Sequence, residues 1–527
     1  MRLFVVGLLL CLHFSVCAQQ GNLSGDLMMT ANFFERDTNI KASGNPLYDN
    51  LLSGGEAWLG LRYSGYGFTA SVRFDAFNNS NLQNPALPLS GSGLGMFSLN
   101  KEINDLSITA GHIYDQIGSG IIFRAYEDRG LLIDNALFGL HLKYKLSEHL
   151  QIKGFTGQTK NVFERYAPIL KGFNAEGDFS IGKSAHITPG FGVTNRTMDQ
   201  ASMDGVVSVI NSLPANKRFV PKYNSYAAAV YNTLNAGDIT WYVEGALKSQ
   251  EAVATDIGLV NVDGSVIYST LGYSRAKFGI NLAAKRTENF MMRTSPNETL
   301  IRGLYNWQPI IAQIRPQRVI ARYTPPSMDL SEVSYIANVF YTPNENVTFN
   351  ASYTHINTLQ KDTLYREVFA SAEIRSIPKW IISGGIQYLI YNQAVYQQKV
   401  KADYPNIFAL TPYLDVTYKI RETKSIRAEL QYMNTKQDFG SWLFGLLEFS
   451  MAPKWSLAVS DMYNIAPNKK HVNKAQHYPS VFLAHTRGPN RFTLNYVKQV
   501  EGINCTGGVC RYEPAFSGVR LGVISTF

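Results

Sequence analysis

The sequence predicts an all-β fold: a transmembrane antiparallel β-barrel of about 24 strands, within 22–26, with no plug domain. Three observations predict it. Apolar and polar residues alternate with period two along nearly the whole chain. The connections between alternating stretches are short and long by turns. The chain ends on an alternating strand that stops at an aromatic residue, Phe527.

The N-terminus comes first. Residues 1–18 read as a signal peptide: Arg2 is the positive start, Leu3 to Phe14 the apolar core, and Val16-Cys17-Ala18 a small-residue cleavage site before Gln19. A lipid-anchored reading at Cys17 fits less well, because Phe14 and Val16 do not suit that motif. Residues 19–527 then form the barrel domain. No other stretch approaches the roughly 18–20 apolar residues of a spanning helix. An exported chain without a helical anchor is expected.

Composition agrees. Only 17% of residues are charged, against about 25% in soluble domains. Gly (42), Tyr (30) and Phe (29) are abundant, yet mean hydropathy is −0.12. Such a chain suits one face in lipid and one in water. The net charge of +9 has no nucleic-acid motif around it, so no nucleic-acid partner is expected.

The strands are justified by alternation. Phe68, Ala70, Val72 and Phe74 alternate with Thr69, Ser71, Arg73 and Asp75. Leu414, Val416, Tyr418 and Ile420 alternate with Tyr413, Asp415, Thr417 and Lys419. Ile426, Ala428, Leu430 and Tyr432 alternate with Arg427, Glu429 and Gln431. A soluble sandwich has the same local pattern, so the connections must decide. Short turns such as Ser64-Gly65-Tyr66-Gly67, Ala452-Pro453-Lys454 and Arg487-Gly488-Pro489-Asn490 alternate with longer loops at 35–52, 78–92, 196–221, 250–263, 289–331, 392–405, 466–476 and 502–511. Outer-membrane barrels have this asymmetry, with short periplasmic turns and long external loops. On it, the longest loop, 289–331, is expected to be reachable from outside the cell. A β-propeller repeat is absent. Trp380 and Trp455 each follow a Pro-Lys turn, where rings sit at headgroup level.

The first alternating stretch starts within a few residues of Gln19. TonB-dependent transporters carry a plug domain ahead of the barrel, and this start leaves no room for one. The lumen is then open, or filled by loops. At the other end, Val519, Leu521, Val523 and Phe527 share one face. This ending resembles the C-terminal signal of bacterial outer-membrane barrels. The resemblance implies that Phe527 is part of the tag read by the barrel insertion machinery.

The stretch 114–136 breaks the strand pattern and combines Gly with clustered charge. Gly118-Ser119-Gly120, Arg124-Ala125-Tyr126-Glu127-Asp128-Arg129 and Ile133-Asp134-Asn135-Ala136 resemble a block in uncharacterised outer-membrane barrels of the Bacteroidota, with Ile117 where that block has Phe. The resemblance brings no activity with it. Arg124, Glu127, Asp128, Arg129 and Asp134 are the candidate residues of an inward-folded constriction loop; a salt-bridged latch between loop and wall is the alternative.

Charges recur on the face opposite the apolar one: Arg73, Asp75, Glu244, Lys248, Lys285, Glu373, Arg375, Asp415, Lys419, Arg427, Glu429 and Arg520. Arg or Lys at the bilayer midplane costs about 2–4 kcal/mol on the lipid face, so these must face the lumen. Mixed signs suggest cross-strand ion pairs as much as a selectivity field. Cys505 and Cys510 are the two cysteines after the leader and read as a disulfide. His residues are scattered, no nucleophile elbow or metal motif occurs, and no enzyme, metal or cofactor is expected.

The expected function is passive passage of small solutes through a porin-like barrel in a Gram-negative outer membrane, with both termini periplasmic. The alternative is a structural or scaffold subunit with a loop-closed lumen. The expected partners are outer-membrane lipid, the insertion machinery, and a small solute or an outer-membrane protein.

Overall fold

The structure is a computed structural model. It describes residues 21–82, 87–255, 258–298, 302–326, 330–397, 406–470, 474–506 and 509–527; the side chains of 503–512 are outside the description. The leader expected at 1–18 lies outside the described residues.

β-Branched and aromatic residues on alternating positions drive an antiparallel sheet that closes on itself. The first strand, Gly21–Phe34, pairs with Ser53–Gly65 on one side and with the last strand, Phe516–Thr526, on the other. The main sheet has 25 segments; Phe179–Ile181 continues Glu164–Gly177 against the same neighbour, Ala185–Thr197, so 25 − 1 gives 24 strands. Closure leaves no edge and pairs the backbone within the wall, which lipid requires. The outer face is apolar: Leu247, Ile267 and Leu447 are all more than half exposed. The inner face holds the buried charges Arg73, Asp75, Glu244 and Lys285. This is the architecture of an outer-membrane barrel. The start of the first strand and the chain end meet at one rim, where Gly25 and Phe527 exchange backbone hydrogen bonds of 2.7 and 2.9 Å. No described helix is long and apolar enough to cross a membrane.

Trp380 and Trp455 stand on the outer wall beside their short turns, against Tyr418 and His485 with ring centroids 4.7 and 4.0 Å apart.

Three expectations need correction. The stretch 250–263 is not a loop: Ile239–Thr255 and Gly258–Arg275 stay paired to the tip, Thr255 opposite Gly258. Likewise 159–170, between the alternating stretches read as strands at 149–158 and 171–182, belongs largely to the hairpin Leu150–Asn161 and Glu164–Gly177. Above the lipid band both faces of a strand are polar, so the apolar alternation that marks it disappears. The third correction is the largest. Much of the described part of 289–331 is not a free external loop. Phe290, Met292, Tyr305, Val319 and Tyr323 are buried, because the loop folds back into the barrel. Its apolar side chains find cover only against the lumen wall.

The loop 196–221 contains the helix Gln200–Ser212, capped by the Asp199 side chain accepting from Ser202 N at 3.1 Å. Met203, Val206 and Ile210 cover Ala252 and Leu259 of the protruding hairpin. The proposed disulfide falls on side chains outside the described residues; the backbone there is a small hairpin with Cys505 opposite Cys510.

Candidate functional site

The strand Leu106–Ile113 is only 8 residues long, so it releases the chain within the wall, and 114–136 turns into the lumen. An apolar anchor fixes it there. Ile117, Ile121, Ile122 and Phe123 are buried against Tyr231, Ala246 and Phe155, and the Phe123 and Phe155 rings stack at 4.2 Å. Gly118 and Gly120 take φ of 54° and 99°, which favours glycine. The left-handed turn lets Ser119 N donate to Glu244 Oε2 at 3.1 Å, where Tyr242 OH also donates at 2.6 Å. A Cβ on Gly118 would sit 2.8 Å from the other Glu244 oxygen. Glu244 is thus an anchor for the loop.

The charges form a second attachment. Arg73 donates to Asp75 through Nε at 2.6 Å and Nη2 at 2.8 Å. Its Nη2 also reaches Asp134 Oδ2 at 2.8 Å, and its Nη1 pairs with Glu127. Asp134 further pairs with Lys160 and accepts from Tyr114 OH at 2.9 Å. Arg129 donates to Glu127 at 3.0 Å and to Asp26 of the first strand at 3.0 Å. Burial pushes the Asp134 carboxyl up, but Lys160 and Arg73 outweigh it and hold it below the ordinary carboxylate value. Burial raises Glu127, against the pull of Arg73 and Arg129. Asp115 is also raised by burial, yet His141 at 3.1 Å and Lys153 at 2.8 Å bring it below its ordinary value.

The sequence-derived residues therefore split. Glu127, Arg129 and Asp134 converge on Arg73 and Asp75. Asp128 instead caps a local turn, accepting from Leu131 N at 3.1 Å. Arg124 places its guanidinium over Tyr126 and Trp307, 4.4 and 4.7 Å from the ring centroids. On the far wall Arg427 donates to Asp415 at 2.7 Å and Glu429 at 2.5 Å, a network within the wall. Lys419 is exposed on the same inner register near its turn. Lys285 pairs with Glu332 at 2.9 Å and donates to Pro309 O at 2.9 Å. Arg520 covers the Phe516 ring at 3.8 Å.

The second inward loop was missed. It joins the first through backbone groups and amides: Arg124 N to Tyr305 O at 2.9 Å, Trp307 N to Gly120 O at 3.0 Å, and Asn306 Nδ2 to Ile121 O at 2.9 Å. It then crosses to the far wall, where Arg315 meets Glu367 at 3.2 Å and Val319 N donates to Gln431 at 2.8 Å. Its apolar content was the available signal. Asp26 and Lys160 gave none, since each is a single polar residue with no motif around it, and Tyr114 only marks where the strand pattern breaks.

Between the first loop and the closing strands lies a cavity of about 420 Å³, lined among others by Thr30, Glu56, Arg129, Thr493, Arg520 and Gly522. Solute-sized space, walls of mixed polar and apolar groups and an inward loop can bind or pass a small molecule.

Comparison with known proteins adds the following. The P pilus usher PapC translocation pore has a TM-score of 0.45 with 9% identity over 96% of this chain and 99% of that one. The siderophore receptor PirA from Pseudomonas aeruginosa has 0.42 with 8% identity, over 96% and 80%. Pseudomonas aeruginosa OpdK with vanillate has 0.36 with 11% identity, over 96% and 98%. The fold assignment rests on the strand pairing itself. No curated protein matches the chain. A family model described as "Family of unknown function (DUF6029)" matches residues 1–527, and the chain belongs to that family.

Proposed function

We propose that this chain is a porin-like channel for small solutes in a Gram-negative outer membrane, with both termini periplasmic and no enzymatic activity. The block around Arg124 to Asp134 adds a Bacteroidota source to the reading. The observation that carries it is the cavity left beside the first inward loop, at the strands that close the barrel. Folded loops narrow the lumen without using all of it. Lumen charges are focused by low-dielectric walls, so they act on ions more strongly than surface charges do. The test is a planar-bilayer recording of the purified full chain: discrete conductance steps are expected, and a silent, correctly folded barrel overturns the proposal.

One observation favours a scaffold. Both loops bury large side chains in the lumen, and Trp442, Tyr391 and Phe290 are fully enclosed. A barrel closed in this way would dock an outer-membrane protein on its external loops. The same recording separates the two readings.

A further inference from the structure

The cavity at the closing strands has a donor-rich floor. Register places Asn495, Arg520 and Asn32 in one row across three neighbouring strands. The row below is Thr493, Gly522 and Thr30. Gly522 has no side chain, and the Thr493 hydroxyl occupies the space that a Cβ would take there, 2.5 Å away, so the floor beneath Arg520 carries an O–H group. Arg129 overhangs from the first loop. Two carboxylates also line the cavity: Glu56 is turned to hydroxyls, with Ser80 donating to it at 2.6 Å and Thr30 binding its other oxygen, and Glu513 accepts from Gln499 Nε2 at 2.9 Å.

A second observation bears on sign. Arg318, on the second loop, is enclosed by the barrel but exposed to its lumen. Among the described residues no carboxylate lies within ion-pair distance of it. Two like charges, Arg322 and Arg520, and one carboxylate, Glu513, act on it from beyond that distance. Burial, then Arg322 and Arg520, push its pKa below the ordinary arginine value, against the pull of Glu513. Guanidiniums crowded in this way repel one another, and an anion among them relieves that cost.

We infer that the cavity is an oxyanion subsite, in which Arg129 and Arg520, in the field of Arg318, receive the carboxylate or phosphate group of a small solute. Guanidiniums suit both groups through paired N–H donors. The inference rests on the channel reading, since it names what the channel would admit.

The test uses the full chain refolded in detergent and in bilayers, with sodium succinate and inorganic phosphate as probes. Calorimetry reads binding; the bilayer reads current and its block. Saturable binding of one or both probes is expected; succinate alone identifies a carboxylate site, phosphate alone a phosphate site. Arg520→Gln should weaken binding by about tenfold, the size of one charge-assisted contact, and Arg318→Gln, which removes only a field, by less. Arg62→Gln, on the same inner face nearer the turns, should leave it unchanged. Heat-modifiable gel migration confirms that each variant is folded. Conductance without binding, or variants that bind like the parent, overturn the subsite and leave the channel standing. Binding without conductance supports the subsite and overturns the channel.

Discussion

The ring of Phe527 fills the space beside Gly25 of the first strand: a Cβ on Gly25 would lie 2.5 Å from Phe527 Cε2. The two backbones are tied there in both directions. The terminal aromatic therefore sits on the line where the barrel closes. Deleting Phe527 should impair insertion while leaving secretion intact, and Gly25→Val should reproduce much of the defect by displacing the ring. Heat-modifiable migration in outer-membrane fractions measures this; normal levels of folded Gly25→Val would separate closure from recognition.

Arg73 is the centre of the loop attachment, with Asp75, Glu127 and Asp134 around it. Arg73→Gln leaves three acids facing one another. Breaking a buried charge group of this kind costs about 3–5 kcal/mol. The loop 114–136 should become accessible to protease in an otherwise folded barrel. Unchanged protection would mean that the apolar anchor at Ile117 to Phe123 holds the loop alone.

The first loop should also set ion selectivity. Arg124→Glu with Arg129→Glu should shift the reversal potential toward cations, and deletion of 118–130 should raise conductance. Arg129 bridges Glu127 and Asp26, so its reversal also loosens the loop; a folding control belongs with each recording. If folded variants match the parent in both properties, the loop is a latch only.

Acid should release the loop. Asp134 and Asp115 have folded pKa values below the ordinary 3.8. A depressed carboxylate contributes stability that is fully present above pH 3.8 and is lost as pH falls through the folded value. Glu127, raised above 4.5, acts in the opposite sense: its contribution is present below pH 4.5 and lost as pH rises through its folded value. Two depressed groups should outweigh one raised group. Conductance should thus rise reversibly as pH falls below about 4, and Asp134→Asn should flatten that step. A parent channel with no acid step would remove the electrostatic attachment.

Cys505 and Cys510 face each other across a small hairpin ahead of the last strand. Mass spectrometry of the unreduced protein should find both sulfurs blocked. The bond should restrict that hairpin more than it stabilises the barrel, because the loop it closes is short.

The sequence by itself determined the barrel. Alternation is a local property of a strand, and a wall one residue thick between lipid and water writes that property into every strand, so the count of 24 could be read directly. The inward direction of Arg73, Glu244, Lys285 and Arg427 followed from the same rule, since lipid rejects charge. What those charges do was decided only by the tertiary structure. Arg73 reaches Asp134, 61 positions away, and Arg129 reaches Asp26 across 103. The loop 289–331 joins the first loop by backbone hydrogen bonds, which any residue can make, so no sequence pattern announces them. Such contacts depend on closure, which brings distant strands face to face across a shared lumen.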